Sequence, residues 1–223
     1  MKYYKIEIQK FYEDRIASSA NGKNVSNKED YFDRIRKGEI LCDTPIFDYF
    51  VLESFDEEKY WEWMLFDVHS GIGEYPFNSN WYISNKLKKI LTNFIVSPEY
   101  CFYETNLLYK EEKLKYWIFQ FVAPYRKLNK MKYISLEDSL FISNSEKLKI
   151  SNLDEFDEKN DVIEISLKKI HLLDYFDFIP LSPITSDIIV SERLKKAIEE
   201  SKITGFEFSE LDYEVITENS NLC

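Results

Sequence analysis

Hydrophobic and polar residues alternate from the start of the chain. In K-Y-Y-K-I-E-I-Q, residues 2–9, Tyr4, Ile6 and Ile8 share one side, the period of a half-buried strand. The polar stretch from Ala17 to Asn27 contains Asn-Gly and reads as a loop. Asn27 is then the N-cap of a short helix. Glu29 and Asp30 stand in its first turn, Arg34, Arg36 and Lys37 in its last, and Gly38 supplies the stop. Aromatic and β-branched residues from Phe47 to Phe55, and again from Tyr60 to Val68, predict strands on either side of Asp56, Glu57 and Glu58. The stretch 69–80, H-S-G-I-G-E-Y-P-F-N-S-N, reads as the clearest loop.

After that loop Ser84 caps a helical pattern with Leu87, Ile90, Leu91 and Phe94 on one face. Residues 100–108 and 115–122 form a strand pair around K-E-E-K. The acidic run 154–161 reads as a turn before a short strand at 162–166. The chain closes with Ile188-Ile189-Val190, a helix capped by Ser191, and a last strand at 205–208. Strands and helices do not alternate regularly. The expected class is therefore α+β, with mostly antiparallel sheets and a few packed amphipathic helices.

One pattern recurs. I-S-N-K-L-K-K-I-L at 83–91 and V-S-E-R-L-K-K-A-I at 190–198 share four identities in nine positions, and an aromatic strand follows each. Read as a pseudo-repeat, the two helices would pack on related edges of one sheet. Read as coincidence, they are two capped helices in a Lys- and Ile-rich chain. The organisation expected is one globular unit, with residues 1–75 as an N-terminal strand and helix region and 76–223 as the α+β core.

Composition narrows the chemistry. Of 223 residues, 44% are hydrophobic and 17% aromatic, so the chain can build a core. The formal charge is −11, from 40 acids against 29 bases. Affinity for nucleic acid comes largely from Lys and Arg displacing counterions, so this balance disfavours a nucleic-acid partner. Only five glycines are present, and neither a dinucleotide fingerprint nor a Walker lysine motif occurs. No cofactor is expected. Cys42, Cys101 and Cys223 are an odd set without C-x-x-C spacing, as in a reducing cytoplasm. No window approaches the roughly 18 apolar residues of a membrane span.

Candidate functional residues fall in three places. Asp67 and His69 are spaced to share one side of a strand beside a glycine loop, which a hydrolase could use; no third ligand or nucleophile accompanies them. His171 lies in an apolar run and reads as a core histidine. The acidic clusters are Asp56, Glu57 and Glu58, and Asp154, Glu155, Asp157, Glu158 and Asp161. They are solvated loops on one reading and a steering surface for a basic protein partner on the other. Trp61 and Trp63, just after the first cluster, alternate and share a face; they serve either the core or an interface anchor.

The segment I-I-V-S-E-R-L-K-K-A-I-E-E-S-K-I-T-G-F-E-F-S-E-L, residues 188–211, resembles the serine-capped terminal helix and Gly-Phe-x-Phe of the family-11 immunity proteins of bacterial polymorphic toxin systems. W-Y-I-S-N-K-L-K-K-I-L at 81–91 is similar to that family's earlier capped helix. K-Y-W-I-F-Q-F-V at 115–122, followed by Ser135-Leu136-Glu137-Asp138-Ser139, is similar to its aromatic strand and the segment after it. The resemblance spans roughly residues 75–211 and leaves the first 75 unmatched. It implies a cytoplasmic protein that binds and neutralises a cognate toxin, and it brings no catalytic residues.

Overall fold

The computed structural model describes residues 1–9, 11–12, 15–16, 18–53, 64–76, 80–121 and 129–218. The elements before the first long loop are β1 (Tyr3–Ile8), a short ribbon of β2 (Phe11–Tyr12) and β3 (Arg15–Ile16), β4 (Ser19–Asn21), α1 (Lys28–Arg36), β5 (Phe47–Glu53) and β6 (Val68–His69). The aromatic centre of the chain follows as β7 (Trp81–Ser84), α2 (Asn85–Leu91), β8 (Cys101–Tyr109) and β9 (Glu112–Gln120). Then come β10 (Ile134–Ser143), β11 (Glu146–Leu148), α3 (Leu153–Asn160), β12 (Ser166–Leu172), β13 (Phe178–Pro180), β14 (Ile188–Ser191), α4 (Glu192–Glu200), β15 (Phe206–Glu210) and β16 (Glu214–Thr217). The fold is α+β, and its sheets are mostly antiparallel.

Six strands form the first sheet, in the order β4-β5-β8-β9-β7-β6. Its two edges are joined. Beyond β6 the chain bridges back to β4: Ala20 N–H bonds the Ser70 carbonyl at 2.8 Å, and Ile72 N–H bonds the Ala20 carbonyl at 3.0 Å. The segment expected to be an open glycine loop thus closes a small barrel. Strand alternation decides what fills it. Tyr82, Tyr103, Leu107, Tyr116 and Ile118 point inward with Phe50 and Leu52, and Phe32 and Ile35 of α1 join the same core. Trp81, Ile83 and Phe119 point outward. At the β8–β9 hairpin, Lys110 and Glu111 both take positive φ (47° and 69°), so a two-residue turn suits the strand twist.

The second sheet, β13-β14-β1-β15, lies across the outer face of that barrel. Ile6, Phe178 and Val190 meet Trp81, Phe119 and Phe121 there, between Leu87 and Leu91 of α2 and Leu194 and Ile198 of α4. The opposite face of this sheet, with Tyr3, Ile179 and Ile189, packs on the third sheet, β11-β10-β12-β16, and on Phe156 of α3. β1 is covered on both sides at Tyr3 and Ile6, while Glu7 on the Tyr3 face stays exposed. It sits between β14 and β15, so the residues before and after position 75 are interleaved in the first and second sheets.

Several local expectations are corrected. Residues 154–161 are helix, not turn: Asn152 Oδ1 accepts Glu155 N–H at 2.9 Å as an N-cap, and Asp161 ends the helix. The strand expected at 162–166 begins only at Ser166. In the segment 60–68, the described part is irregular up to Asp67 and only Val68 is strand; residues 60–63 lie outside the described residues. Asn27 precedes α1 in a left-handed conformation and makes no side-chain cap. The two echoing helices lie on different sheets rather than on edges of one.

The echo itself extends far beyond the helices. Strands β6-β7-β9-β8 of the first sheet and β13-β14-β1-β15 of the second have the same order and the same antiparallel pairings. In each unit a serine ends the second strand and caps the helix: Leu87 N–H bonds Ser84 Oγ, and Leu194 N–H bonds Ser191 Oγ, both at 3.2 Å. A tyrosine on the central strand faces that serine and donates to a phenylalanine carbonyl, Tyr116 to Phe66 (2.6 Å) and Tyr3 to Phe176 (2.9 Å). Both phenylalanines precede an aspartate, in F-D-V-H at 66–69 and F-D-F-I at 176–179. The chain contains the same unit twice. The second copy is circularly rearranged, because its central strand comes from the start of the chain.

Candidate functional site

The aspartate of each unit sits at the junction between them. Asp67 accepts from Ser84 Oγ (2.6 Å) and from the main chain and hydroxyl of Thr204 (3.0 and 3.2 Å), and its own N–H donates to Thr204 Oγ1. Asp177 accepts from Ser191 Oγ (2.6 Å), Tyr175 Oη, Ile95 N–H (2.9 Å) and Arg193. Thr204 follows α4 and Ile95 follows α2, so each aspartate ties its own helix cap to the loop after the other unit's helix. Gly205 completes one of these contacts. Its φ is +95°, and a Cβ there would lie 2.8 Å from the Val68 carbonyl.

Asp177 is fully buried. Burial by itself raises a carboxyl pKa, but hydrogen bonds from Arg193, Ser191, Tyr175 and the Ile95 amide outweigh it and hold Asp177 below the usual range. The Arg193 guanidinium also lies over the rings of Phe94 and Tyr175, at 5.0 and 5.9 Å.

His69 is 1% exposed. Its Nε2 accepts Phe66 N–H at 3.1 Å, which places the proton on Nδ1 and makes it donate to the Ser18 carbonyl at 3.0 Å. Burial pushes the imidazole down to about 4. Asp67 and His69 are therefore not brought together as an acid–base pair; Asp67 fastens the junction with the loop after α4, and His69 fastens the barrel wall at Ser18. His171 is not a core histidine. It is 19% exposed on β12, with Nδ1 3.8 Å from Asp138 and Nε2 3.6 Å from Glu218. Among the described residues, no cluster of His, Cys, Asp and Glu is arranged to hold a metal ion.

Asp56, Glu57, Glu58, Trp61 and Trp63 lie outside the described residues. The second acidic cluster is an ordered surface. Its buried residue is Phe156, and its internal ion pair joins Glu155 to Lys159 at 2.6 Å, with Glu155 also accepting Ser151 N–H. Asp154, Glu158 and Asp161 are exposed at spacings of four and three along α3, which puts them on one stripe with Asp157. No ion pair among the described residues reaches Asp154, Glu158 or Asp161. Like charges at such spacings weaken a helix by about 0.2–0.5 kcal/mol per pair. Val162, just past the stripe, is 81% exposed.

A second feature of the surface is repeated with the fold. Lys88 of α2 lies over Trp117 and Phe102 (3.0 and 5.5 Å), and Lys195 of α4 lies over Tyr4 and Phe208 (4.9 and 5.4 Å). Beside each, an ion pair crosses the sheet: Lys115–Glu104 at 2.7 Å and Lys2–Glu210 at 2.6 Å. Much of the partly exposed aromatic surface is thus covered by the chain's own lysines. Sequence reasoning missed this pattern, although the lysines are the same position in the two echoing helices.

No protein-family model matches the chain, and no curated protein matches it. No helix among the described residues is long and apolar enough to cross a membrane.

Proposed function

We propose that this chain is a cytoplasmic immunity protein that binds a cognate bacterial toxin with a basic surface and blocks it by occlusion. The observation that carries this reading is the acidic stripe of α3. Three exposed carboxylates, Asp154, Glu158 and Asp161, stand along one face beside the exposed Val162, and the helix uses Phe156, not these three, to anchor itself. Such a stripe costs helix stability and steers a basic partner, raising the association rate through long-range attraction. The two serine-capped helices that carry the family resemblance are both present, each built into a repeated junction. Asp67 and His69, the pair that a hydrolase would use, each hold a structural hydrogen-bond network instead.

The test is co-expression with a candidate toxin encoded beside its gene. Growth is expected to be rescued, and the two chains are expected to purify together. Rescue without a complex, or no rescue by a folded chain, would remove the occlusion reading.

A further inference from the structure

The duplication extends beyond the four strands already matched. β10 pairs antiparallel with β12, and β12 parallel with β16, as β4 pairs with β5 and β5 with β8. β15 and β16 share the place of β8, broken at residues 211–213. α3 comes between β10 and β12 as α1 comes between β4 and β5, and Phe156 is buried from it as Phe32 is from α1. The β2–β3 ribbon and β11 are additions outside the match. In chain order the two halves therefore run alike. One is β1, β4, α1, β5, β6, β7, α2, β8; the other is β9, β10, α3, β12, β13, β14, α4, β15–β16. Each half begins with a strand that it does not keep. β9 inserts between β7 and β8 of the first half, and β1 inserts between β14 and β15 of the second. The halves have exchanged their first strands.

The two exchanged strands are held differently. β9 is joined to β8 by the two-residue turn Lys110-Glu111, which keeps it beside β8 in the same molecule. β1 has no turn to either of its neighbours and reaches the first half through the β2–β3 ribbon. Contacts alone hold it in place. Tyr3 and Ile6 are buried on opposite faces, Tyr3 Oη donates to the Phe176 carbonyl at 2.9 Å, and Lys5 meets Asp187 at 3.1 Å. A second copy of the chain offers the same strand with the same contacts. We propose that β1 also exchanges between molecules, so that two copies form a dimer in which each β1 lies between β14 and β15 of the other. Both forms make the same strand contacts, so concentration decides between them. A strand on a short tether sees its own slot at an effective concentration on the order of 1 mM, and the dimer competes when the chain refolds near that value.

The test uses two full-length variants, Tyr4→Cys and Glu210→Cys, each with Cys42, Cys101 and Cys223 replaced by Ser. Tyr4 and Glu210 are direct partners across β1 and β15. Gln9 N–H bonds the Gly205 carbonyl, and counting from there makes Tyr4 and Glu210 a non-hydrogen-bonded pair. Their Cα atoms are then about 4.5 Å apart, close enough for a disulfide. The variants are unfolded, mixed, refolded together at about 1 mM or about 1 μM, and oxidised with glutathione disulfide. A disulfide joining positions 4 and 210 of different chains, read by mass spectrometry, is expected at the higher concentration, with at least about tenfold less at the lower. The double variant Tyr4→Cys/Glu210→Cys, refolded when dilute, is expected to close the same bond within one chain. If it does so while the single variants never cross-link, the proposal is overturned. Wild-type chain refolded at the two concentrations and sized by chromatography is the second arm, and it needs no substitution. A dimer formed at the higher concentration only is expected. Monomer at both would overturn the proposal, as would a dimer in which positions 4 and 210 do not cross-link, because association would then use another surface.

Discussion

The two copies of the repeated unit share one junction, an aspartate closing a serine cap, but they close it differently. In the second copy Asp177 is fully buried and saturated by Arg193, Tyr175, Ser191 and a main-chain amide. In the first copy Asp67 is partly exposed and meets neutral donors, Ser84 and Thr204. Lys86 stands where Arg193 stands in α4, and it reaches the Lys202 carbonyl at 3.4 Å instead of the aspartate. One geometry has therefore been kept with a charged closure at the buried site and a neutral closure at the exposed one. A buried carboxylate without a cation would be costly; a half-exposed one needs only hydrogen bonds.

The sharpest way to break this comparison is to remove the buried member. Asp177→Ala leaves Ser191, Tyr175 and the Ile95 amide without their shared acceptor while Arg193 turns to solvent, and about 2–4 kcal/mol of stability should be lost in denaturant unfolding. Because Asp177 is held below its ordinary pKa, its contribution is present above about pH 4 and is lost as pH falls through the folded value. Asp67→Ala should cost about 1–2 kcal/mol, as neutral hydrogen bonds do. Equal losses at the two positions would contradict the assigned difference.

A second contrast is chemical. His69 of the first copy occupies the place of Ile179 in the second, so only the first copy carries a titrating group in its outer strand. The folded value is about 4, below the ordinary 6.5, so the unfolded chain takes up its proton first as pH falls. The contribution of His69 is intact above pH 6.5 and is lost progressively down to about pH 4, amounting to about 3 kcal/mol. His69→Gln should flatten the stability profile in that window. A profile unchanged by the substitution would remove His69 as its cause.

The same comparison shows how far the sequence could be read. Ser84 and Ser191 were legible as caps because a hydroxyl before an amphipathic run has one common use. The paired Phe-Asp dipeptides were visible but unremarkable, since two residues shared at a spacing different from that of the helices carry little weight alone. α4 is two residues longer than α2, which shifts everything after it. That β1 completes the second copy could not be read at all: its partners lie near the other end of the chain, and its alternation says only that it is a strand. The acidic run 154–161 was misread as a turn because Asp, Glu and Asn suggest solvated loops. Its N-x-x-E start, Asn152 to Glu155, was the signal for a helix. As a helix the run becomes a directed stripe, which a turn would not give.

The functional account rests on that stripe. Its most direct test is the association rate of the purified chain with its cognate toxin, measured across ionic strength for the wild type and for Asp154→Lys, Glu158→Lys and Asp161→Lys combined. The account predicts a wild-type rate that falls steeply with salt, and a variant that associates at least about tenfold more slowly at low salt with a flattened dependence. An unchanged rate and salt dependence in a folded variant would contradict it.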